Sequence, residues 1–176
     1  SPDLILPIDS AARAMSVIAR AVLQPGDEAI VCDPVDYLFK TSMEAARAKI
    51  ILFPMEFKNG RIDFSRLEDY ITPRTKVFGL CNPHNPSGQI WDRGTLTRLG
   101  ELCWEHHVTV ISDEIHCDLT DPGFEYVPFS SVSEHCRMNS VTCIAPTKTF
   151  NLAGLQTAAV MVPDPVLRHK VWRGLN

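Results

Sequence analysis

The sequence lacks the marks of several protein classes. Its six cysteines include no C-x-x-C pair, and no apolar run approaches the roughly 18–20 residues that cross a bilayer. Basic residues are not in excess, since 17 lysines and arginines stand against 21 aspartates and glutamates, a net charge of −4. Such a chain has no dense basic face for a phosphate backbone. The opening Ser1-Pro2-Asp3 is no basic secretory leader, and we expect neither a nucleic-acid partner nor a membrane partner.

What the chain has instead is the composition of an ordinary globular domain. Its 176 residues are 45% hydrophobic and 22% charged, which suits one domain with a sizeable core. The cysteines stand singly, several of them in apolar runs, and this pattern favours reduced thiols over a disulfide framework. We therefore expect a cytoplasmic protein. The cysteines are Cys32, Cys81, Cys103, Cys117, Cys136 and Cys143.

Short β-branched runs alternate with amphipathic stretches along nearly the whole chain. The strand candidates are continuous apolar runs, which is typical of strands buried on both faces. This alternation predicts an α/β fold of three layers, α/β/α, around a mostly parallel sheet. The strand candidates are residues 29–33, 49–53, 76–80, 108–113, 141–145 and 158–162. The helix candidates are residues 11–23, 38–48, 64–71 and 95–106.

Polar and ionisable residues follow three of the predicted strands. They lie in residues 81–88, 112–116 and 146–151. In an open α/β sheet the ligand crevice lies beyond the carboxyl ends of the strands. We therefore expect these three segments to meet at one edge of the sheet and to form the functional site.

Asp113 ends an apolar run, so we expect its carboxylate to be shielded from water and to need a cationic partner. A helix cap or a structural ion pair is the alternative interpretation. An apolar strand followed by Asp-Glu also occurs in nucleotide hydrolases. That chemistry needs a G-x-x-x-x-G-K-[ST] loop, and its absence excludes a nucleotide hydrolase.

Lys148 comes just past another apolar strand, a position that suits a partly desolvated crevice. Desolvation lowers the pKa of an amine and makes it a nucleophile for carbonyl groups. The alternative is an ordinary lysine whose amine reaches out to water. The loop over residues 82–88 contains two Asn-Pro steps, which stiffen it. It is either an ordinary tight turn or a rigid mount for an amide that binds a ligand oxygen.

The three segments read CNPHNPSG from Cys81, SDEIHCDL from Ser112 and APTKTFNLAGLQ from Ala145. On these motifs the chain resembles the class I/II aminotransferase family of fold-type I pyridoxal-phosphate enzymes. More narrowly, it resembles the MalY/PatB-type cystathionine β-lyase (C–S lyase) branch. The resemblance runs from about Ser10 to the end of the chain, and the three motifs come in the family's order.

The resemblance implies roles for four residues around the ring of pyridoxal 5'-phosphate. Lys148 binds the cofactor aldehyde and acts as the general base, while Asp113 pairs with the protonated pyridine nitrogen. Asn85 donates a hydrogen bond to the phenolic oxygen. His116 stands beside the cofactor where many aminotransferases carry a tyrosine, and it favours the lyase branch.

The resemblance also implies a phosphate site. The Thr147 hydroxyl matches a position usually held by serine and is expected to reach the phosphate. Backbone N–H groups at the start of the first helix are expected to bind it as well. The residues that open this helix are Ser10, Ala11 and Ala12.

Three residues depart from the family pattern. Asp36 stands where an aromatic residue usually stacks on the ring, and Tyr37, one position later, is the candidate to replace it as a cofactor-binding residue. Gln156 stands where many aminotransferases keep an arginine that binds the phosphate. Ser10 stands where the lyase branch tends to have glycine.

The implied activity is β-elimination from cystathionine-type or cysteine-S-conjugate amino acids, giving pyruvate, ammonia and a thiol. The alternatives are a pyridoxal-phosphate aminotransferase and a non-catalytic, truncated cofactor-domain protein. Family members are much longer, so we expect residues 1–176 to be the cofactor-binding large domain, without an N-terminal segment and a C-terminal small domain. The expected partners are a small-molecule amino acid and, in the full-length form, a second copy of the chain.

Metal binding is a poor interpretation of the histidines. His106 and His107 end a predicted helix, where polar groups suit the helix dipole, and adjacent side chains point in different directions. His116 has acidic neighbours but no H-x-x-x-H spacing. We therefore expect no metal site.

Overall fold

The computed structural model describes residues 2–58 and 61–175, and its centre is a sheet of seven strands. Its strands are β1 (Ile5–Ile8), β2 (Glu28–Asp33), β3 (Lys49–Pro54), β6 (Thr75–Cys81), β7 (Thr109–Asp113), β8 (Ser140–Ile144) and β9 (Ala158–Met161). A separate pair is formed by β4 (Phe57–Lys58) and β5 (Arg61–Ile62). Across the large sheet the order is β1-β9-β8-β7-β6-β2-β3.

Helices cover both faces of this sheet. They are α1 (Ala11–Val22), α2 (Tyr37–Ala45), α3 (Arg93–Glu105), α4 (Glu134–Met138) and α5 (Pro165–Leu175). One buried apolar cluster joins α1, α2 and α5 to the sheet, and a second joins α3 and α4 to it. Because the two clusters draw on different residues of the same strands, the fold has three layers. The predicted α/β/α architecture is confirmed.

Strand direction decides where the functional residues meet. The strands β3, β2, β6, β7 and β8 run parallel, whereas β9 is antiparallel to both β8 and β1. The strand β1 therefore points the same way as β8. Its carboxyl end, and the start of α1 that follows it, lie at the same edge as the carboxyl ends of β2, β6, β7 and β8. We call this side of the sheet the carboxyl edge.

All six predicted strands are present, each within one residue at either end, and three of the four predicted helices are present. The helix predicted over residues 64–71 is wrong, because only Leu67–Tyr70 forms a short 3-10 turn. The Phe64 ring instead lies in an aromatic cluster, 5.6 Å from the Phe53 centroid and 5.2 Å from that of Trp91. Among the described residues, no helix combines the length and apolar character that a membrane span needs.

Candidate active site

Asp113 lies at the carboxyl end of β7, with Cys81 of β6 and Cys143 of β8 beside it in register. It is only 7% exposed. Burial raises the pKa of Asp113 to about 7, although the Ile115 N–H, which donates to Oδ1 at 3.3 Å, acts in the opposite direction. Asp113 is thus a shielded carboxyl group whose charged form is destabilised by burial.

Lys148 lies in the turn that follows β8, and its positive charge lowers the pKa of Asp113. The turn is tied to the segment after β7, because Thr149 Oγ1 donates to Asp118 Oδ2 at 2.9 Å. The Lys148 side chain is exposed, so the expectation of a partly desolvated crevice is wrong for the described residues. Its apolar neighbours Phe150 and Leu155 are exposed as well.

The loop between β6 and α3 holds Asn85 rigidly. Cys81 Sγ accepts from the Asn85 N–H at 3.3 Å, and the Trp91 ring N–H donates to the Cys81 carbonyl at 2.7 Å. His84 Nδ1 pairs with Ser87 Oγ at 2.8 Å, and burial lowers the pKa of His84 to about 4. A neutral, buried histidine and a buried tryptophan therefore fix the Asn85 backbone at the carboxyl edge.

The Asn85 side chain is bound by a residue from another part of the sequence. Asn85 Nδ2 donates to Asp36 Oδ2 at 2.8 Å, and Asp36 Oδ1 accepts from the Leu38 N–H at 2.9 Å, which caps α2. Sequence analysis noticed Asp36 as a departure but missed this contact. Tyr37 is 69% exposed, and its place over a cofactor ring stays a prediction.

His116 is half-buried in the turn after β7. Burial lowers the pKa of His116, the charge of Lys148 acts in the same direction, and the charge of Asp36 opposes both. His116 and Asn85 line a cleft of about 770 Å³ between the loop after β6 and the segment after β7. Asp113 and Lys148 are not among the described residues that line this cleft.

Glu114 is a second buried carboxyl group that sequence analysis left without a role. Its oxygens accept hydrogen bonds from Ser112 Oγ at 2.7 Å, from the Phe129 N–H at 3.0 Å and from the Tyr126 hydroxyl. Burial raises the pKa of Glu114, and these donors lower it. The network fixes the segment after β7 to the loop before α4. The sequence signal for this network is the acidic pair Asp113-Glu114 at the end of an apolar run.

The start of α1 also lies at the carboxyl edge. Ser10 caps the helix, accepting from the Arg13 N–H at 3.2 Å, and Ala11 and Ala12 follow as the first helical residues. The first N–H groups of a helix have no intrahelical partner, so they suit an anion. Thr147 is half-buried in the turn after β8, on the same edge.

These residues fit pyridoxal phosphate at both of its ends. The buried Asp113 carboxyl group, whose pKa is raised, suits a protonated ring nitrogen, and the start of α1 suits the phosphate. The charges of Lys148 and Asp36 both act on the pKa of Asp113, which Lys148 lowers and Asp36 raises. Gln156 is exposed. Within residues 2–58 and 61–175, no group of three or more His, Cys, Asp or Glu side chains is arranged for a metal ion.

Comparison with known proteins shows the family. The family model described as Aminotransferase class I and II matches residues 2–171. The chain belongs to the class I and II aminotransferase family. Cystathionine beta-lyase PatB of Bacillus subtilis, one relative in this family, is 44% identical over 97% of the chain and 45% of its own length.

Other members of the class I and II aminotransferase family resemble the chain over nearly its whole length. Arginine–pyruvate transaminase AruH of Pseudomonas aeruginosa is 31% identical over 89% of the chain and 39% of its own length. Cystalysin of Treponema denticola, whose crystal structure contains a pyridoxal 5'-phosphate cofactor, superimposes with a TM-score of 0.94. It is 31% identical, over 99% of the chain and 45% of cystalysin. The chain therefore spans less than half the length of these relatives.

Proposed function

We propose that the protein is a pyridoxal-phosphate-dependent C–S β-lyase that acts on cystathionine-type or cysteine-S-conjugate amino acids. The 44% identity to cystathionine beta-lyase PatB over 97% of the chain carries this proposal. Because the chain spans less than half of that relative, we propose that it is the large, cofactor-binding domain of such an enzyme. The carboxyl-edge residues are its contribution to the chemistry.

The reactive end of the proposed site is built from Lys148 and Asp113. Bound pyridoxal phosphate supplies an electron sink for the negative charge that develops at the substrate Cα. Lys148 would hold the cofactor through its aldehyde, and its amine would serve as the base for the Cα proton. The buried Asp113 carboxylate would stabilise a protonated ring nitrogen. The thiol group would leave from Cβ, and water would hydrolyse the remaining three-carbon unit to pyruvate and ammonia.

The binding end of the proposed site orients the cofactor. Asn85 donates to the phenolic oxygen from a rigid loop. The N–H groups of Ala11 and Ala12 and the Thr147 hydroxyl bind the phosphate. His116 faces the cleft that admits the substrate.

The activity is tested with cystathionine and the purified protein loaded with pyridoxal phosphate. We expect pyruvate to appear without any added keto acid, and the Lys148→Ala variant to release none. Coupled lactate dehydrogenase follows pyruvate directly. The control is Lys170→Ala on α5, which is expected to keep the activity. A protein that binds the cofactor but forms no pyruvate from any thioether amino acid contradicts the lyase proposal.

An aminotransferase is the second candidate, because AruH is similar over 89% of the chain. A transferase converts an amino acid only when a keto acid is present to accept the amino group. The same assay run with and without pyruvate or 2-oxoglutarate, with the amino-acid product measured by chromatography, separates the two candidates. Strict dependence on the keto acid identifies the transferase.

We also propose that the full-length protein forms a homodimer through the carboxyl edge. Large apolar side chains at this edge are exposed, and such a surface usually marks a contact. They are Tyr37 at 69%, Leu119 at 53%, Phe124 at 64%, Phe150 at 65% and Leu155 at 68%. Sedimentation equilibrium is expected to give twice the monomer mass, and Phe150→Asp to raise the dimer dissociation constant. A monomeric full-length protein contradicts this proposal.

We propose a cytoplasmic location as well. All six cysteines are free thiols, five of them buried. Thiols persist in this form in a reducing compartment. Cell fractionation with an antibody to the protein checks the location, and recovery in an extracellular or periplasmic fraction contradicts it.

A further inference from the structure

Both oxygens of the Asp36 carboxylate are used, and each has a different task. Oδ1 accepts from the Leu38 N–H at 2.9 Å and so caps α2. Oδ2 accepts from Asn85 Nδ2 at 2.8 Å, a contact between residues 49 positions apart in the sequence. Asp36 thus links the segment after β2 to the loop after β6.

The contact settles which way the Asn85 amide points. The side-chain amide has a donor end and an acceptor end that differ little in shape, and a carboxylate only accepts hydrogen bonds. Asn85 must therefore turn Nδ2, not its oxygen, toward Asp36. The Asn85 backbone is already held, because its N–H is bound to the Cys81 thiol. Asp36 therefore restricts the orientation of the side-chain amide. One N–H of Nδ2 is bound to Asp36, and the amino group carries a second.

The Asp36 carboxylate lies near enough to the reactive residues for its charge to act on them. It raises the pKa of Asp113 and the pKa of His116, behind the larger effect of burial in both. Asn85 and His116 line the same cleft, and Asp113 lies in register with Cys81, whose thiol accepts from the Asn85 N–H.

We propose that Asp36 is a positioning residue that fixes the Asn85 amide with its N–H donors toward the cofactor's phenolic oxygen. The proposal rests on the proposed cofactor site, and it assigns a task to a carboxylate at a position where an aromatic residue is expected. Asp36 acts through Asn85 and takes no part in proton transfer.

The test is a double-mutant cycle on cofactor affinity, measured by titration with pyridoxal phosphate and read from visible absorbance. In the protein with Asp36 intact, Asn85→Ala removes one hydrogen bond to a charged oxygen and is expected to raise the dissociation constant about tenfold. The direct effect of the Asp36 charge on an anionic cofactor cancels in the cycle, because it is present in both members of each pair.

Two replacements of Asp36 keep the helix cap and break the link. In Asp36→Asn the new amide caps Leu38 with its oxygen and presents an N–H₂ group to Asn85, which then turns its own oxygen toward it. Asp36→Ser also caps the helix but is too short to reach Asn85 at the same time. In both backgrounds Asn85→Ala is expected to change the dissociation constant less than about threefold. If Asp36 only caps α2, Asn85→Ala is expected to raise the dissociation constant about tenfold in both backgrounds.

A second readout needs no cofactor. The ¹⁵N–¹H signals of the Asn85 side-chain amide are expected to shift in Asp36→Asn and Asp36→Ser, while those of Asn139, bound to the Val108 carbonyl, stay in place. Unchanged Asn85 signals, or an equal effect of Asn85→Ala in all three backgrounds, overturns the role of Asp36 alone. If the unsubstituted protein does not bind pyridoxal phosphate, both the proposed function and the role of Asp36 are overturned.

Discussion

Replacement of Lys148 by alanine is expected to abolish the shift in the absorption band of pyridoxal phosphate that marks its covalent link to the protein. The shifted band requires a link between the cofactor aldehyde and an amine, and Lys148 is the amine whose charge acts on both Asp113 and His116. Lys148→Arg keeps the positive charge but cannot form the link, so it is expected to lack the shifted band as well. Ultraviolet–visible spectra of the purified variants check this.

Lys170 is the matched control for Lys148. Both side chains are exposed, so simple accessibility to the aldehyde does not distinguish them. Lys170→Ala is expected to keep the full absorbance. After borohydride reduction, peptide mass spectrometry is expected to place the added mass on the peptide that contains Lys148. Added mass on other lysines, with Lys148 unmodified, contradicts the proposed site.

Replacement of Asp113 by asparagine is expected to stabilise the cofactor-free protein at neutral pH and to weaken cofactor binding. Burial raises the pKa of Asp113 from 3.8 to about 7, so the folded state holds this proton more tightly than the unfolded state does. Between those two pH values, rising pH therefore removes stability, because the unfolded chain loses the proton first. At pH 8 the penalty is fully present, and it is absent below about pH 4.

The shift corresponds to about 4 kcal/mol in the free energy of unfolding. Asp113→Asn carries no charge to bury, so its advantage over the unsubstituted protein is expected to grow from near zero at pH 4 to about this value at pH 8. Urea unfolding at the two pH values measures it. Burial also raises the pKa of Glu114, which is present in both proteins. Asp121→Asn, at an exposed position, is the control, and an equal difference at both pH values contradicts the account.

Much of the fold was predictable because apolar runs report buried strands directly. The central strands β6 and β7 were found within one residue at each end. The short strand β1 was missed, since its four residues include Pro7 and two exposed positions. The helix predicted over residues 64–71 failed because Phe64 gains more from its aromatic neighbours than from a helical turn.

The site was predictable where the residues sit at strand ends, as Asp113 and Lys148 do. The exposure of Lys148 was not predictable, because the pattern of a strand does not report what covers the turn that follows it. The contact between Asp36 and Asn85 was not predictable either. It depends on the parallel arrangement of β2 and β6, which brings together loops that are far apart in sequence.

The two cysteines beside Asp113 have a consequence for a protein proposed to release thiols. Sulfur compounds leaving the site, once oxidised to disulfides, capture any accessible cysteine thiolate as a mixed disulfide. Burial raises the pKa of Cys81 to about 12 and the pKa of Cys143 well above its ordinary value, so both remain protonated, unreactive thiols. These two thiols beside Asp113 are thereby protected from capture by the proposed product.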